Sequence, residues 1–499
     1  MPIEDRVLVL HIRNKTKIDI SNDFIKTCQH FKNLVYLIIK EKGYFILNIS
    51  AFKKSLVENP RKQLSVKEIE IINKIQSSSY FPSLKEVSKN LSSVTVQKLI
   101  EQVMNEYKSY FNALKDYKEN PHKYKNKPNP PKPKKLSRIN NFSVSFVKNN
   151  FKIKNNGLIL TLNNYLKLKF KLPKFMLRKE ISSIRLVKRL DEYELHIVYK
   201  EKILKENLLL NDNIYVSIDL GLDNLASIFT NNPSIESLII NGKQIKSFNQ
   251  WFNKKKAELQ SLKDKSDNIG EKEKYDYSIR KLFRYRNKKI KIWFHLISAR
   301  IIEYALLSKA KHIIISRDIL ESKNGINLGK TTNQNFVSIP FGLLIDMIKY
   351  KAKKYGIEIS DKEKEYFTSQ ANCLTNDIRK VMKNKNIELS GKRLERGLYQ
   401  DFIYGLRFNA DINGAVNIVK RVKFKIIDFY FKSKELFRVL KRKLCRPIKF
   451  NIYQLQNANL FLNRLLSIPT GISNSFSGLN AEIYKFLYIF DIFIYFCIP

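Results

Sequence analysis

The chain has 499 residues, with 92 Lys and Arg against 46 Asp and Glu and a formal net charge of +46. Self-repulsion on that scale excludes an ordinary metabolic enzyme without a polyanionic partner and points to nucleic acid. Hydrophobic residues at 43%, aromatics at 12%, 15 Gly and 14 Pro exclude wholesale disorder and collagen-like or linker-dominated chains, and the length fits roughly two to four domains.

In chain order, Val7 to Ile12 alternates weakly and predicts a first strand. Asn22 to Glu41 has helical spacing, and Leu84 to Lys118 carries an apolar stripe through Leu84, Val87, Leu91, Val94, Leu99, Val103, Tyr107, Tyr110 and Leu114. Core packing is the plain reading of that stripe. Pro121 to Lys135 (PHKYKNKPNPPKPKK) breaks all periodicity with five prolines, six lysines and no acid. It is an extended basic linker, either a solvated connector or a strand lying along a phosphate backbone. Leu158–Leu162, Leu166–Leu172, Ile184–Lys188 and Tyr193–Tyr199 are short alternating runs that suggest a small barrel.

From Tyr215 onward the pattern alternates strand and helix, as in an α/β domain. Tyr215 to Thr230 (YVSIDLGLDNLASIFT) holds an apolar strand, an acid, a glycine turn and a second apolar run. Gln250 to Leu307 is helical and highly charged. His312 to Ser316 is a buried strand, Phe341 to Tyr355 an amphipathic helix and Ile357 to Ser360 a short strand. Asn409 to Arg421 (NADINGAVNIVKR) enters a helix.

Cys28, Cys373, Cys445 and Cys497 lie far apart with no CxxC pair, which predicts neither a disulfide framework nor a zinc site. The N-terminal apolar run is short and broken by His11, unlike a secretory signal. Phe486 to Pro499 is apolar but contains Asp491 and falls short of the roughly 20 residues of a membrane span. The expectation is a cytoplasmic, nucleoid-associated protein with no membrane partner and no small-molecule substrate.

Asp219 stands on an otherwise apolar strand, where a carboxylate is costly unless paired or metal-bound. Asp411 stands at a helix start. Each has a structural reading, Asp219 in a turn and Asp411 as an N-cap. Together, in so basic a chain, they point to metal-dependent phosphodiester chemistry, in which carboxylates from separate elements converge on one sheet edge. Hard oxygen ligands suit Mg²⁺.

IDLGLDNLAS resembles the first RuvC motif of the TnpB family, the insertion-sequence OrfB proteins, and NADINGAVNI resembles its third. INGKQIKSFNQWFNKKKAEL (Ile240 to Leu259), LGKTTNQNFVSIPF (Leu328 to Phe341) and GKRLERGLY (Gly391 to Tyr399) are also similar to that family. The likeness is dense from about residue 212 to 421 and weaker but colinear over 84 to 205. It implies an α/β multidomain fold: an RNase H-like RuvC nuclease domain plus an N-terminal oligonucleotide-binding-like wedge barrel with a helical recognition insert. The implied divisions are 1–20 with 137–205 for the barrel, 21–136 for the helical insert and basic linker, and 212–421 for the nuclease domain. Within the last, 250–307 is a helical insertion and 367–408 a target-binding insertion. Residues 422–499 are left as a C-terminal tail that cleavage can spare.

The implied activity is RNA-guided, metal-dependent DNA cleavage by a protein of a transposable element, a TnpB-like transposase protein. Its partners would be a guide RNA from the element and a double-stranded DNA target, with Mg²⁺ or Mn²⁺ as cofactor. Two other readings are a catalytically inactive nucleic-acid-binding protein of the same fold and a DNA strand-transfer transposase.

Two departures matter. Where the family carries a Glu after an apolar strand, HIIISRDIL has Ser316, with Asp318 and Glu321 nearby but out of position. A branch of the family relocates that Glu before a "YTS" segment. EKEYFTSQAN then makes Glu365 the third acid beside Asp219 and Asp411, with Glu363 in reserve. Many members also carry four cysteines between the second and third motifs, and this chain has only Cys373, so no zinc ribbon is expected. For phosphate contacts the candidates are Lys281, Arg284, Arg286, Lys288 and Lys289 on the basic aromatic helix, and Arg393 and Arg396 near the active site. A solvated charged face is the plain alternative. His295 and Ser298 match an HxxS pattern and fit core packing equally well.

Overall fold

The computed structural model describes residues 3–57, 65–136, 139–154, 157–163, 165–202, 210–316, 339–361, 367–384, 388–395 and 397–466. Glu363, Glu365, Asp318, Glu321, Arg396 and the apolar C-terminal run lie outside the described residues. The chain divides into two compact units, 2–202 and 203–499.

In the first unit, β1 (Ile3–Ile12) leads into α1 (Lys15–Lys42), α2 (Ile49–Ser55), α3 (Val66–Gln76), α4 (Phe81–Lys89) and α5 (Ser93–Glu119). Each start has a local cause. Asn14 caps α1, and Ser65 and Glu68 form a reciprocal capping box on α3. The apolar stripe predicted as continuous over 84–118 is two helices, because Ser92 accepts the Thr95 N–H and restarts the chain as α5. The basic linker is clasped at Lys134, whose backbone exchanges two hydrogen bonds with the Asn33 side chain (2.7 and 2.9 Å).

After the helices come β2 (Asn141–Phe146), β3 (Phe151–Lys154), β4 (Gly157–Thr161), β5 (Lys167–Lys171), β6 (Ile181–Arg189) and β7 (Glu192–Lys202). They form two sheets, ordered β1-β7-β6-β2 and β3-β4-β5, with β1 antiparallel to β7 across the whole helical insert. Phe24, Phe31 and Ile38 of α1 share one core with Leu99 of α5, Val144, Phe146, Leu186 and Ile197.

The second unit is built on a six-stranded sheet. Its elements begin with β8 (Asn211–Leu220), β9 (Asn224–Thr230), β10 (Leu238–Asn241), α6 (Lys243–Lys265), α7 (Ile269–Leu307) and β11 (Ala310–Ile315). They continue through α8 (Phe341–Lys354), β12 (Glu358–Ser360), α9 (Asp377–Lys383), β13 (Gly391–Glu395), β14 (Leu398–Asp401), β15 (Arg407–Asn409) and α10 (Ala410–Val422). The last are α11 (Lys434–Cys445), β16 (Ile448–Phe450) and α12 (Ala458–Leu466). The sheet runs β12-β11-β8-β9-β10-β16, and β13-β14-β15 form a separate hairpin sheet. Val216, Ile218 and Leu220 of β8 share a core with Phe294, Ile297 and Ile301 of α7 and Leu344 of α8. Tyr215 of β8 turns to the opposite face, against Ile412, Ala415 and Val419 of α10. This alternation is the period of two that a strand buried on both faces requires.

Residues 422–466 are packed into the second unit rather than appended to it as a tail. β16 adds to the sheet parallel to β10, pairing Leu238 with Ile448. Leu440 and Leu444 of α11 are fully buried. Arg442 ion-pairs with the buried Glu236 at 2.5 Å, and the Lys443 ammonium donates to the carbonyls of Thr230 (2.9 Å) and Asn232 (2.5 Å). Arg300 of α7, itself buried, donates to the Leu455 carbonyl at 2.8 Å. A segment this poor in long periodic runs looked detachable in sequence, but its apolar residues complete the cores.

Candidate functional site

Asp219 is the penultimate residue of β8, and the turn that follows (Gly221 to Asp223) reverses the chain into β9, with Asp219 opposite Ser227. The turn is fixed by the Gly242 N–H to the Asp223 carbonyl (2.8 Å) and by Lys246 on the Asp223 carboxylate (3.0 Å). By alternation from Tyr215, Asp219 faces α10.

The first turn of α10 brings the second acid there. Asn409 is the N-cap, accepting from the N–H groups of Asp411 and Ile412 at 3.0 Å each. The expected alternative, Asp411 as the cap, is therefore replaced by a cap two residues earlier, and the Asp411 carboxylate is available for other contacts. One of its oxygens accepts from the Asn224 side chain at 2.6 Å and the other from Arg393 at 3.2 Å. One turn along α10, a Cβ built on Gly414 would lie 2.5 Å from Asp219 Oδ2. Asp219 thus lies against α10 one turn beyond Asp411, at the join between β8 and the N-terminal turn of that helix, and both carboxylates are half-buried.

Ser316 follows β11, whose last registered pair is Ile315 with Ile218. The next position stands alongside Asp219. The Ser316 side chain is fully buried and its hydroxyl has no hydrogen-bond partner among the described residues. An uncharged, unpaired hydroxyl cannot take the place of a carboxylate as a metal ligand.

Asn413, Asn417 and Lys420 of α10 tie down the segment that follows residue 366. Asn417 donates to the carbonyls of Thr368 (2.8 Å) and Ala371 (2.7 Å), and Asn413 donates to Ala371 (2.8 Å) while accepting the Cys373 N–H (2.9 Å). Lys420 donates to the carbonyls of Cys373 (2.7 Å) and Thr375 (2.6 Å). Burial pushes the Cys373 thiol up to about 12, so it is not a thiolate. Buried Asp377 accepts from the Ser390 N–H (2.8 Å), and Asn372 donates to buried Asp401 (2.5 Å). This amide and carboxylate hub orders the segment through hydrogen bonds.

The basic candidates are divided. Lys281 is exposed, and Arg284, Lys288 and Lys289 are half-buried along α7. Arg286 is committed to the α6–α7 hairpin, donating to Asn249 at 2.8 Å and lying 5.0 Å over the Phe252 ring. Phe283 and Tyr285 pack edge-on against Phe252 and Phe248 of α6, so these aromatics join two helices. Ser298 is buried and accepts from the Lys351 ammonium at 2.8 Å, and His295 accepts from or donates to the Tyr350 hydroxyl at 3.2 Å, which gives this pair a packing role. Sequence reasoning missed Asn224, Asn409 and Gly414. It also missed Asn413 and Asn417, whose spacing of four on one helix face was the signal available for them.

Residues 196–316 match the OrfB_IS605 family, described as a probable transposase, and residues 341–418 match the Cas12f1-like TNB domain. The chain is 26% identical over 256 residues to the TnpB-like protein ORF457 of Acidianus two-tailed virus, a similarity covering 51% of each protein. It therefore spans about half the length of that curated relative. Among solved structures, a Cas12f1–sgRNA–target DNA complex is similar at 16% identity and a TM-score of 0.47, over 82% of this chain and 83% of that one. A CRISPR–Cas12f ternary complex is similar at 13% identity and a TM-score of 0.32, over 80% of this chain and 81% of the other. No described helix is long and apolar enough to cross a membrane.

Proposed function

Given that the chain belongs to the TnpB family, we propose that it is an RNA-guided, divalent-metal-dependent DNA endonuclease of a transposable element. The observation that carries this reading is the placement of Asp219 against Gly414, one turn along α10 from Asp411, with the Asp411 carboxylate released from capping by Asn409. Hard oxygen donors from two elements fit Mg²⁺ or Mn²⁺. Asp219 and Asp411 would hold the metal, and Glu365 would complete the site. Glu365 falls between Asp361, held by Lys349 at 2.6 Å, and Thr368, tied to α10 by Asn417, which supports that assignment. When bound, the metal supplies an activated water and charge stabilisation at the leaving 3′ oxygen.

The chain's own groups do the rest. Asn224 fixes one oxygen of Asp411 and so its orientation. The Arg393 guanidinium, beside Asp411, is a cation at hand for the cleaved strand's phosphate. Lys281, Arg284, Lys288 and Lys289 would line the heteroduplex. Guide pairing reads the target sequence, while the protein reads a short flanking duplex and heteroduplex shape.

The test is to express the chain with its flanking genomic DNA, sequence the copurified RNA and challenge the complex with a matching target beside a randomised flank. Cleavage with Mg²⁺ that is lost in Asp219→Ala supports the reading, and absence of bound RNA overturns it. The uncharged Ser316 beside Asp219 favours a second reading, a binding protein of the same fold that has lost cleavage. Bound RNA with target binding but no cutting would select it.

A further inference from the structure

We propose that the first unit carries a divalent transition-metal site formed by His11 of β1 and Glu192 and Glu194 of β7. Ile12 of β1 and Tyr193, Leu195 and Ile197 of β7 are buried in the core. Alternation therefore sends His11, Glu192, Glu194 and His196 together to the other face of the sheet. The register sets His11 directly opposite Glu194. One ligand atom from each of His11, Glu192 and Glu194 lies within 4.8 Å of the other two.

The His11–Glu194 separation suits an ion better than a direct contact. His11 Nδ1 is 3.8 Å from Glu194 Oε1, beyond a hydrogen bond. Two ligand atoms each about 2.0–2.2 Å from one ion stand roughly 3.3–4 Å apart. The other Glu194 oxygen is 2.9 Å from His196 Nε2, which orients the carboxylate from behind as an outer partner does. Two carboxylates side by side on one sheet face attract cations. A guanidinium is also present: Arg189 of β6 is registered directly opposite Glu192, with its Nε 3.6 Å from Glu194 Oε2.

One imidazole and two carboxylates select Zn²⁺, Mn²⁺ or Fe²⁺ over Mg²⁺, which prefers oxygen and retains water. The ion would join the strand that opens the chain to the strand that closes the first unit, at the point where the chain leaves the sheet for α1. A count of cysteines gives no view of such a site, and the expectation of a chain without zinc came from that count.

The test titrates Zn²⁺ into chelator-treated full-length chain by calorimetry, in an Asp219→Ala background that removes competition from the nuclease acids. One ion per chain is expected, with affinity reduced about tenfold or more in His11→Ala and in Glu192→Gln. Both residues are exposed, so neither variant endangers the fold. Zn²⁺ should raise the melting temperature of the parent and leave that of His11→Ala unchanged, and Mg²⁺ should not displace it. Absence of saturable binding, or a Zn²⁺ isotherm in both variants that matches the parent's, overturns the proposal.

Discussion

Gly414→Ala is a small perturbation that separates the fold from the chemistry. A methyl at this position would lie 2.5 Å from Asp219 Oδ2 and 3.5 Å from its Cγ. Real carbon atoms at that position essentially never approach closer than 3.0 Å, so the carboxylate oxygen must recede by at least about 0.5 Å. The atom that gives way is the end of a side chain, and turning it off its rotamer costs on the order of 1 kcal/mol. Alanine in place of glycine inside a helix returns about the same amount. Stability should therefore stay within about 1 kcal/mol. Catalytic groups, by contrast, tolerate only about 0.5 Å, and a misplacement of about 1 Å costs on the order of 100-fold. We expect single-turnover cleavage of a matched target to fall about 10- to 100-fold, with an increased Mg²⁺ requirement, unchanged RNA binding and an unchanged melting temperature. Wild-type cleavage at limiting Mg²⁺ would refute the reasoning, because it would mean that the Asp219 position observed against α10 is not the working one.

Further outcomes follow from the same observations. Affinity for RNA or DNA should fall about 10³-fold between roughly 50 and 200 mM salt, as read from the slope of log Kd against log salt, and a flat slope would contradict phosphate neutralisation by the basic surface. Glu365→Gln should abolish Mg²⁺-dependent cleavage while RNA binding persists, with Glu363→Gln mild and Ser316→Ala nearly silent, since it removes only an unpaired hydroxyl. Normal cutting by Glu365→Gln would return the third acid to the β11 side, where Asp318→Asn and Glu321→Gln would identify it. Burial, with help from Lys351 and Lys291, holds the His295 imidazole down from 6.5 to about 4. The unfolded chain thus takes up this proton first, and the stabilisation, present above pH 6.5, is lost as pH falls towards 4. The loss in unfolding free energy should reach at most about 3 kcal/mol and flatten in His295→Gln. A chain ending at residue 425 should be insoluble or molten by near-UV circular dichroism, because it loses β16 and the buried Leu440 and Leu444, each contributing about 1.5–3 kcal/mol; one ending at 466 keeps these contacts and should stay folded.

What was legible in the sequence is what each segment declares locally. The apolar run around Asp219 reads as a buried strand because its neighbours alternate onto two cores, and the single acid stands out for the same reason. The start of α10 was equally plain, yet its cap was not. Asn409 and Asp411 are both good capping residues, and only the backbone geometry assigns the role to Asn409. Long-range partners leave no local trace at all. Asn224 meets Asp411 across 187 residues of chain, and β16 is three residues long, too short for any period to announce its pairing with β10. The stripe over 84–118 failed in the opposite way, since its spacing persists across a break that one serine hydroxyl enforces. Gly414 is the most instructive case. Read locally, a glycine inside a helix is a defect of about 1 kcal/mol relative to alanine. Its reason appears only when β8 is laid against α10 and the Asp219 carboxylate occupies the space a methyl would need. Residues whose local cost has no local benefit are thus where the sequence points, without saying how, towards the site.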